Sequence, residues 1–269
     1  MEEVIDWKKF LLPYEQAVDE LKVKLESLVR EYKINGQPSP IEQVHGRVKR
    51  ISSILDKAAK KKISVESIDS KIEDIAGLRV ICRFVEDIDR VIHLIRERGG
   101  HDMKILQERD YVTNAKPSGY RSYHLIIEYP VITSNGYSEI LAEIQIRTLA
   151  MNFWATTEHS MKYKYSGNIP NGLKERLCAA AEAAFKLDKE MGTIRHEILE
   201  AQQIVQTKTD LVDEILSRIQ NLHYVTKLDR VNELNKQFFE LYEEDNIDKL
   251  NKFNQQLKVM VEAYKFQFV

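Results

Sequence analysis

Between Ser138 and Tyr165 the chain reads as a strand that runs into a helix with no loop between them. In Glu139-Ile-Leu-Ala-Glu143-Ile-Gln145-Ile-Arg147, the side chains of Ile140, Ala142, Ile144 and Ile146 share one face. Glu143, Gln145 and Arg147 share the other, because successive strand residues point to opposite sides. One face suits a core and the other suits water or chemistry. The helix that follows sets Phe153, Trp154, Thr157, Met161 and Lys164 roughly one face apart from Asn152, Glu158 and His159, with Thr148 as its N-cap.

At 269 residues the chain can bury one sizeable core and a smaller helical annex. Its 40 lysines and arginines against 42 acids leave no basic excess to make nucleic acid the main partner, so any anion site must be local. The N-terminus, Met1-Glu-Glu-Val-Ile-Asp, has neither a basic nor an apolar leader region, and no run approaches a membrane-spanning length. The expectation is a soluble, unexported, cytoplasmic protein with no membrane partner. Cys82 lies in an apolar strand and Cys178 in a helical pattern, without metal-ligand spacing, so both are expected as buried, reduced thiols. None of the 10 glycines and 6 prolines falls beyond Gly192, which marks the last third as helical.

Read in order, Tyr14, Ala17, Val18, Leu21, Leu25, Leu28, Val29 and Tyr32 recur at helical spacing, ending before Asn35-Gly36-Gln37-Pro38. A short segment, Val44 to Lys49, leads into a helix from about Ile51 to Lys62. Arg47 to Lys62 holds seven lysines and arginines against one acid, Asp56. Arg47, Lys49 and Lys57 are placed to converge on a phosphate chain, whereas Lys60 to Lys62 read as a solvated face. Asp74-Ile-Ala-Gly77-Leu-Arg79 feeds an apolar strand, with Asp74 at its mouth. Asp87 is expected to cap a helix closed by Gly99-Gly100, and a strand carrying Arg109 follows over Met103–Tyr111. Val112 to Gly119 is loop by composition, and Tyr120 to Tyr129 is a third strand. Ser134-Asn135-Gly136-Tyr137 signals a hairpin that pairs this strand with the Glu139–Arg147 strand, antiparallel. After Gly167-Asn-Ile-Pro170 a long helix carries Leu173, Leu177, Ala180, Ala181, Ala184, Leu187, Met191, Ile194 and Ile198, followed from about Thr207 by two or three more. The class is α+β, a sheet with helical cover.

The familiar nucleotide-binding and metalloprotease motifs are missing, and His101-Asp102 reads as turn residues rather than a metal site. Two acids remain, Asp74 and Glu143, with Arg47, Lys49, Lys57, Arg79, Arg109 and Lys116 on neighbouring segments. Paired carboxylates facing one cleft suit Mg²⁺, and the cations suit a polyphosphate. Tyr120, beside Gly119, offers a ring face to a base. The residues alone leave two readings open: a nucleotide-phosphate enzyme, or an ordinary α+β domain with charged rims.

Five ordered motifs carry the choice further. Gly46-Arg47-Val48-Lys49, Asp74-Ile-Ala-Gly-Leu-Arg79, Ser118-Gly-Tyr120-Arg-Ser-Tyr-His124, Glu143-Ile-Gln145-Ile-Arg147-Thr148, and Trp154 with Glu158-His159 and Tyr163-Lys164 together resemble the RelA/SpoT synthetase family. With no hydrolase domain ahead of them and no regulatory domain of the usual kind behind, the chain resembles its small alarmone synthetases of the RelQ type. The likeness covers about residues 5 to 200. It implies a nucleotidyltransferase-like mixed sheet flanked by helices, a synthetase domain over 1–205, and an extended helical C-terminal region over 206–269. It also implies transfer of the β,γ-pyrophosphate of ATP to the 3′-hydroxyl of GTP or GDP, releasing AMP and giving pppGpp or ppGpp in the stringent response.

The resemblance implies a role for each matched residue. Asp74 and Glu143 are the Mg²⁺ ligands, and Glu143 also orients or deprotonates the acceptor hydroxyl. Arg47 and Arg79 stack on adenine, and Lys49, Ser53, Lys57 and Arg109 meet the ATP phosphates. Lys116 and Ser118 belong to the acceptor loop, Tyr120 stacks on guanine, and His124 with Lys116 meets the acceptor's phosphates. Gln145 and Asn152 read the guanine edge. Arg121, Arg147, Glu158 and His159 belong to the family pattern and are read as supporting the site residues or as structural, not as catalytic. The family likeness further implies a homotetramer, with alarmone or single-stranded RNA as candidate regulators, though Glu26, Glu42, Gln43 and His45 supply no clear anion site. Two rivals stand beside this reading: a toxin-like relative that pyrophosphorylates adenine nucleotides or tRNA, and an inactive nucleotide- or RNA-binding regulator. The set Tyr120, Gln145 and Asn152 argues against the first, and the pair Asp74 and Glu143 against the second.

Overall fold

The computed structural model describes residues 6–164, 170–224 and 226–266. The side chains of Tyr163 and Lys164 and the expected turn at residues 167–169 lie outside them. The chain divides into two compact units, residues 1–193 and 194–269.

The first unit is a five-stranded mixed sheet in the order β1-β2-β5-β4-β3. Its strands are β1 (Gln43–Val48), β2 (Ala76–Cys82), β3 (Lys104–Asp110), β4 (Tyr123–Thr133) and β5 (Gly136–Thr148). β2 runs parallel to β5, and every other neighbouring pair is antiparallel. The expected hairpin closes at Thr133 and Gly136, joining β4 to β5.

Alternation gives the sheet two unlike faces. Leu78, Val80, Leu125, Ile127, Ala142, Ile144 and Ile146 are buried on one, under α1 (Trp7–Ile34) and α4 (Val85–Arg98). α1 supplies Tyr14, Ala17, Val18, Leu21 and Leu25, and α4 supplies Ile88, Val91, Ile92 and Ile95, each set at i, i+3, i+4 spacing. The opposite face is polar and bordered by α2 (Ile51–Lys61) and α5 (Leu149–Lys164). α3 (Ile68–Lys71) is one short turn ahead of β2. Thr148 ends β5 and starts α5, its hydroxyl accepting from the Met151 N–H at 3.1 Å.

Several expectations change. The segment Val44–Lys49 contributes a strand, β1, which polar His45 and Arg47 and the intervening Gly46 conceal in the sequence. A Cβ at Gly46 would stand 2.5 Å from Val18 Cγ1, so only glycine lets α1 lie across this strand. Phe84, not Asp87, is the N-cap of α4; Asp87 is buried in the first turn and accepts from Arg90 at 2.9 Å. Cys82 is buried and its thiol is pushed up by burial, but Cys178 is only half-buried.

The second unit comprises the end of α6 (Asn171–His223), α7 (Leu228–Glu243) and α8 (Ile247–Phe266). Leu211, Ile215, Ile219 and Leu222 pack with Val231, Leu234 and Phe238 and with Leu250, Phe253 and Leu257. The helix break expected near Thr207 is absent. Thr207 and Thr209 instead return their hydroxyls to the carbonyls of Gln203 and Val205 and stay helical. No described helix is long and apolar enough to cross a membrane.

Candidate active site

Sheet register assembles the polar face. Glu143 and Gln145 of β5 lie opposite Gly77 and Arg79 of β2, which in turn face Arg47 and His45 of β1. On the other side Gln145 faces His124 of β4, which faces Arg109 of β3. Residues directly opposite in a sheet point the same way, so one row runs His45, Arg79, Gln145, His124, Arg109. Arg47 and Glu143 lie in the adjoining row, separated by Gly77, whose missing side chain leaves space between them. Asp74, just ahead of β2, joins them: a cavity of about 400 Å³ is lined by Arg47, Asp74, Arg79, Glu143, Gln145 and Asn152. The buried Oδ1 of Asn152 has no hydrogen-bond partner among the described residues.

Both carboxylates are held ionised. Burial works to raise the Asp74 carboxyl, but Lys49 Nζ at 2.7 Å and Lys57 Nζ at 2.8 Å, one on each oxygen, hold it below its usual value. Glu143 is 9% exposed. Burial again opposes its charge, and the contact of His124 Nδ1 with Oε1 at 2.9 Å and the Gln145 amide donated to Oε2 at 2.6 Å outweigh it. Two ionised carboxylates on one cleft are hard oxygen donors of the kind Mg²⁺ accepts, with water and phosphate oxygens completing its shell.

A second cavity, of about 950 Å³, is lined by Arg47, Lys49, Ser53, Lys57 and Lys60, with His159 and Ser160 of α5. It lies at the start of α2, whose N-cap, Arg50, gives no side-chain hydrogen bond. Asp56 also lines it, but the first N–H groups of α2 and the more numerous cations suit it to an anion.

The loop ahead of β4 carries the remaining candidates. Gly119 has φ +87°, and a Cβ there would lie 2.5 Å from Ala181 Cβ. The loop therefore packs against α6 only because residue 119 is glycine. Lys116 Nζ stands 4.3 Å from the Tyr111 ring centroid and 5.0 Å from that of Tyr120. The Tyr120 hydroxyl lies 2.9 Å from His124 Nε2. Ser118 is exposed on the same loop.

The fold thus gathers Asp74, Glu143, Arg47, Arg79, Gln145 and Asn152 at one cavity, and Lys49, Ser53 and Lys57 with Arg47 at the next. Tyr120 and His124 reach Glu143 through the hydrogen-bonded chain above. Arg109 is turned aside, donating to Glu73 at 2.7 Å. Arg147, expected on the face of Glu143 and Gln145 and outside the catalytic set, lies on that face and donates to Gln145 Oε1. The same alternation that marked Glu143 marked it too.

Residues 46–168 match the region found in RelA/SpoT proteins. The chain is 52% identical over 202 residues to GTP pyrophosphokinase YjbM of Bacillus subtilis, covering 75% of this chain and 94% of that relative. Its structure is similar to that of small alarmone synthetase 1 from Bacillus subtilis bound to its product pppGpp, with TM-score 0.68 and 53% identity, covering 71% of this chain and 97% of that one. The same enzyme bound to AMPCPP aligns with TM-score 0.63 and 49% identity, covering 72% and 98%. Near-complete coverage of such relatives, together with the ordered motifs on one sheet face, means that this chain belongs to the RelA/SpoT family.

Proposed function

We propose that the chain is a GTP pyrophosphokinase that makes (p)ppGpp by transferring the β,γ-pyrophosphate of ATP to the 3′-hydroxyl of GTP or GDP, releasing AMP. The observation that carries this reading is the pair Asp74 and Glu143, both ionised at one cavity beside an anion site. A protein that only bound nucleotide would gain nothing from facing its phosphates with two negative charges.

In this reading Arg47 and Arg79 bracket adenine between planar guanidinium groups, which lysine could not copy. Lys49, Ser53 and Lys57 take the ATP phosphates, aided by the N-terminus of α2. Arg109 joins them on leaving Glu73. Tyr120 offers its ring to guanine, Gln145 and Asn152 its polar edge contacts, and Lys116, Ser118 and His124 meet the acceptor's phosphates. Asp74 and Glu143 hold Mg²⁺, which when bound supplies neutralisation of the polyphosphate charge. Glu143 orients the 3′-hydroxyl and accepts its proton as the oxygen attacks the β-phosphorus. The bond between the β-phosphorus and the oxygen bridging it to the α-phosphorus then breaks, and that oxygen leaves with AMP.

The wider reading is a cytoplasmic homotetramer acting in the stringent response, with a synthetase region over 1–205, a helical extension over 206–269, and alarmone or single-stranded RNA as regulators. The test is incubation with Mg²⁺, γ-labelled ATP and, separately, GTP, GDP, ADP and bulk tRNA. Label on GTP or GDP with release of AMP supports the proposal. Label only on ADP or tRNA, or no transfer at all, refutes it.

A further inference from the structure

Arg147 sits at the end of β5 with 2% of its surface exposed, and among the described residues no carboxylate pairs with it. Burial makes its charge costly and Arg79 and Arg47 add repulsion, which nearby Tyr120 and Glu143 offset only in part. A plain structural role would be served more cheaply by an apolar side chain. Its contacts point instead to the site: it donates to Gln145 Oε1, and its Cζ lies 5.6 Å from the Tyr120 ring centroid.

Arginine has only donors. Gln145 must therefore turn its carbonyl oxygen to Arg147, which leaves its amide nitrogen on the other side. That nitrogen gives one hydrogen to Glu143 Oε2 at 2.6 Å and keeps the second, and Gln145 lines the cavity that Glu143 fronts. So held, Gln145 has an N–H to offer a ligand in the cavity, while its oxygen is turned to Arg147.

We infer that Arg147 is a specificity-determining positioning residue: by fixing the Gln145 amide it makes that side chain a donor-only reader, which accepts a 6-oxo purine and rejects a 6-amino purine. The inference rests on the proposed reading in which Gln145 meets the acceptor base. A guanine or hypoxanthine oxygen receives the N–H. The adenine amino group sets donor against donor and leaves a buried polar group unpaired. Without Arg147 the amide is held by Glu143 Oε2 alone, and the flipped form that offers its oxygen to adenine is penalised by one contact instead of two.

The experiment measures kcat and KM with ATP as donor and GDP, IDP and ADP as acceptors, in the parent, Arg147→Met, Gln145→Ala and the double variant. For Arg147→Met, the GDP-over-ADP ratio of kcat/KM falls roughly tenfold, mainly through KM. The GDP-over-IDP ratio stays constant, because the 2-amino group is not what Gln145 reads. In the Gln145→Ala background, Arg147→Met changes the GDP-over-ADP ratio no further. An unchanged ratio in a folded Arg147→Met, a parallel loss with all three acceptors, or an equal loss without Gln145 overturns the inference. If Arg147→Met does not fold, the parent carries the test through hydrogen exchange of the Gln145 side-chain amide, identified by its loss in Gln145→Ala. Exchange slower than that of a free glutamine amide supports the inference, and exchange at the free rate overturns it. A parent that transfers to neither GDP nor IDP removes the functional reading and this inference together. A parent that does so with an unresponsive Arg147→Met removes this inference alone.

Discussion

Lys49 Nζ lies 2.7 Å from Asp74 Oδ2, and Lys57 closes the other carboxylate oxygen at 2.8 Å. The proposed metal ligand and the proposed phosphate contacts thus neutralise each other before any substrate arrives. Asp74→Asn separates the two roles. Turnover should fall by about two to three orders of magnitude, since the variant loses a proposed metal ligand. In EDTA, by contrast, ATP should bind about threefold more tightly, because two ammonium groups are freed and a repelling charge is gone. Calorimetric titration with and without Mg²⁺ reads both signs. Weaker metal-free binding would mean that the lysines serve only to hold Asp74.

Glu143 accepts from two neighbours at once, one on each oxygen. Glu143→Gln keeps the shape but replaces one acceptor by an amide N–H, which faces either His124 or Gln145 with a donor. The variant should lose about a thousandfold in kcat, with the KM for ATP nearly unchanged, because the proposed ATP contacts Arg47, Arg79, Ser53 and Lys57 lie on β1, β2 and α2 rather than on β5. Single-turnover label transfer measures this. Parent-like turnover would exclude Glu143 from the proton transfer.

Alternation made the chemistry of β5 legible: with Ile144 and Ile146 committed to a core, Glu143 and Gln145 had to face away from it. The hairpin was legible because Asn135-Gly136 is a local signal. The parallel pairing of β2 with β5 was not, because it joins segments some 65 residues apart and leaves no local trace, yet it is what sets Gly77 opposite Glu143. β1 was hidden by Gly46, which answers to Val18 on a helix rather than to its own strand neighbours. The continuity of α6 was hidden by threonines whose hydroxyls are absorbed by the helix that contains them.

Gly119 is where the proposed acceptor loop touches α6. Alanine there would carry a Cβ 2.5 Å from Ala181 Cβ and 3.4 Å from Cys178 Cα, at a φ of +87° that side chains rarely adopt. Gly119→Ala should cost about 2 kcal/mol in stability. It should also displace Lys116, Ser118 and Tyr120 together, raising the acceptor KM about tenfold while leaving the KM for ATP near its parent value. Initial-rate kinetics with each substrate varied in turn make the comparison, and an equal rise in both constants would deny the loop a distinct acceptor role.

Asp188 on α6 is 5% exposed and accepts from the Thr148 hydroxyl at 2.6 Å, which itself accepts from the Met151 N–H where β5 passes into α5. Burial pushes its carboxyl from 3.8 up to about 6, and the single hydroxyl offsets this only in part. As pH rises from about 4 to 6 the unfolded chain gives up this proton before the folded one does, so stability is fully present below the unfolded value and is lost as the pH passes the folded one. At pH 7 the buried charge is a standing cost. Asp188→Asn keeps an acceptor for Thr148 and removes the charge, so it should stabilise the protein at pH 7 by about 1–2 kcal/mol, after allowance for solvent screening. The gain should shrink steadily towards pH 4 and vanish below it, where the carboxyl is protonated in the folded and the unfolded chain alike. Thermal melts of the two proteins at pH 4, 5, 6 and 7 test this, and a melting difference that does not change with pH would show that folding leaves this carboxyl's affinity for protons unaltered.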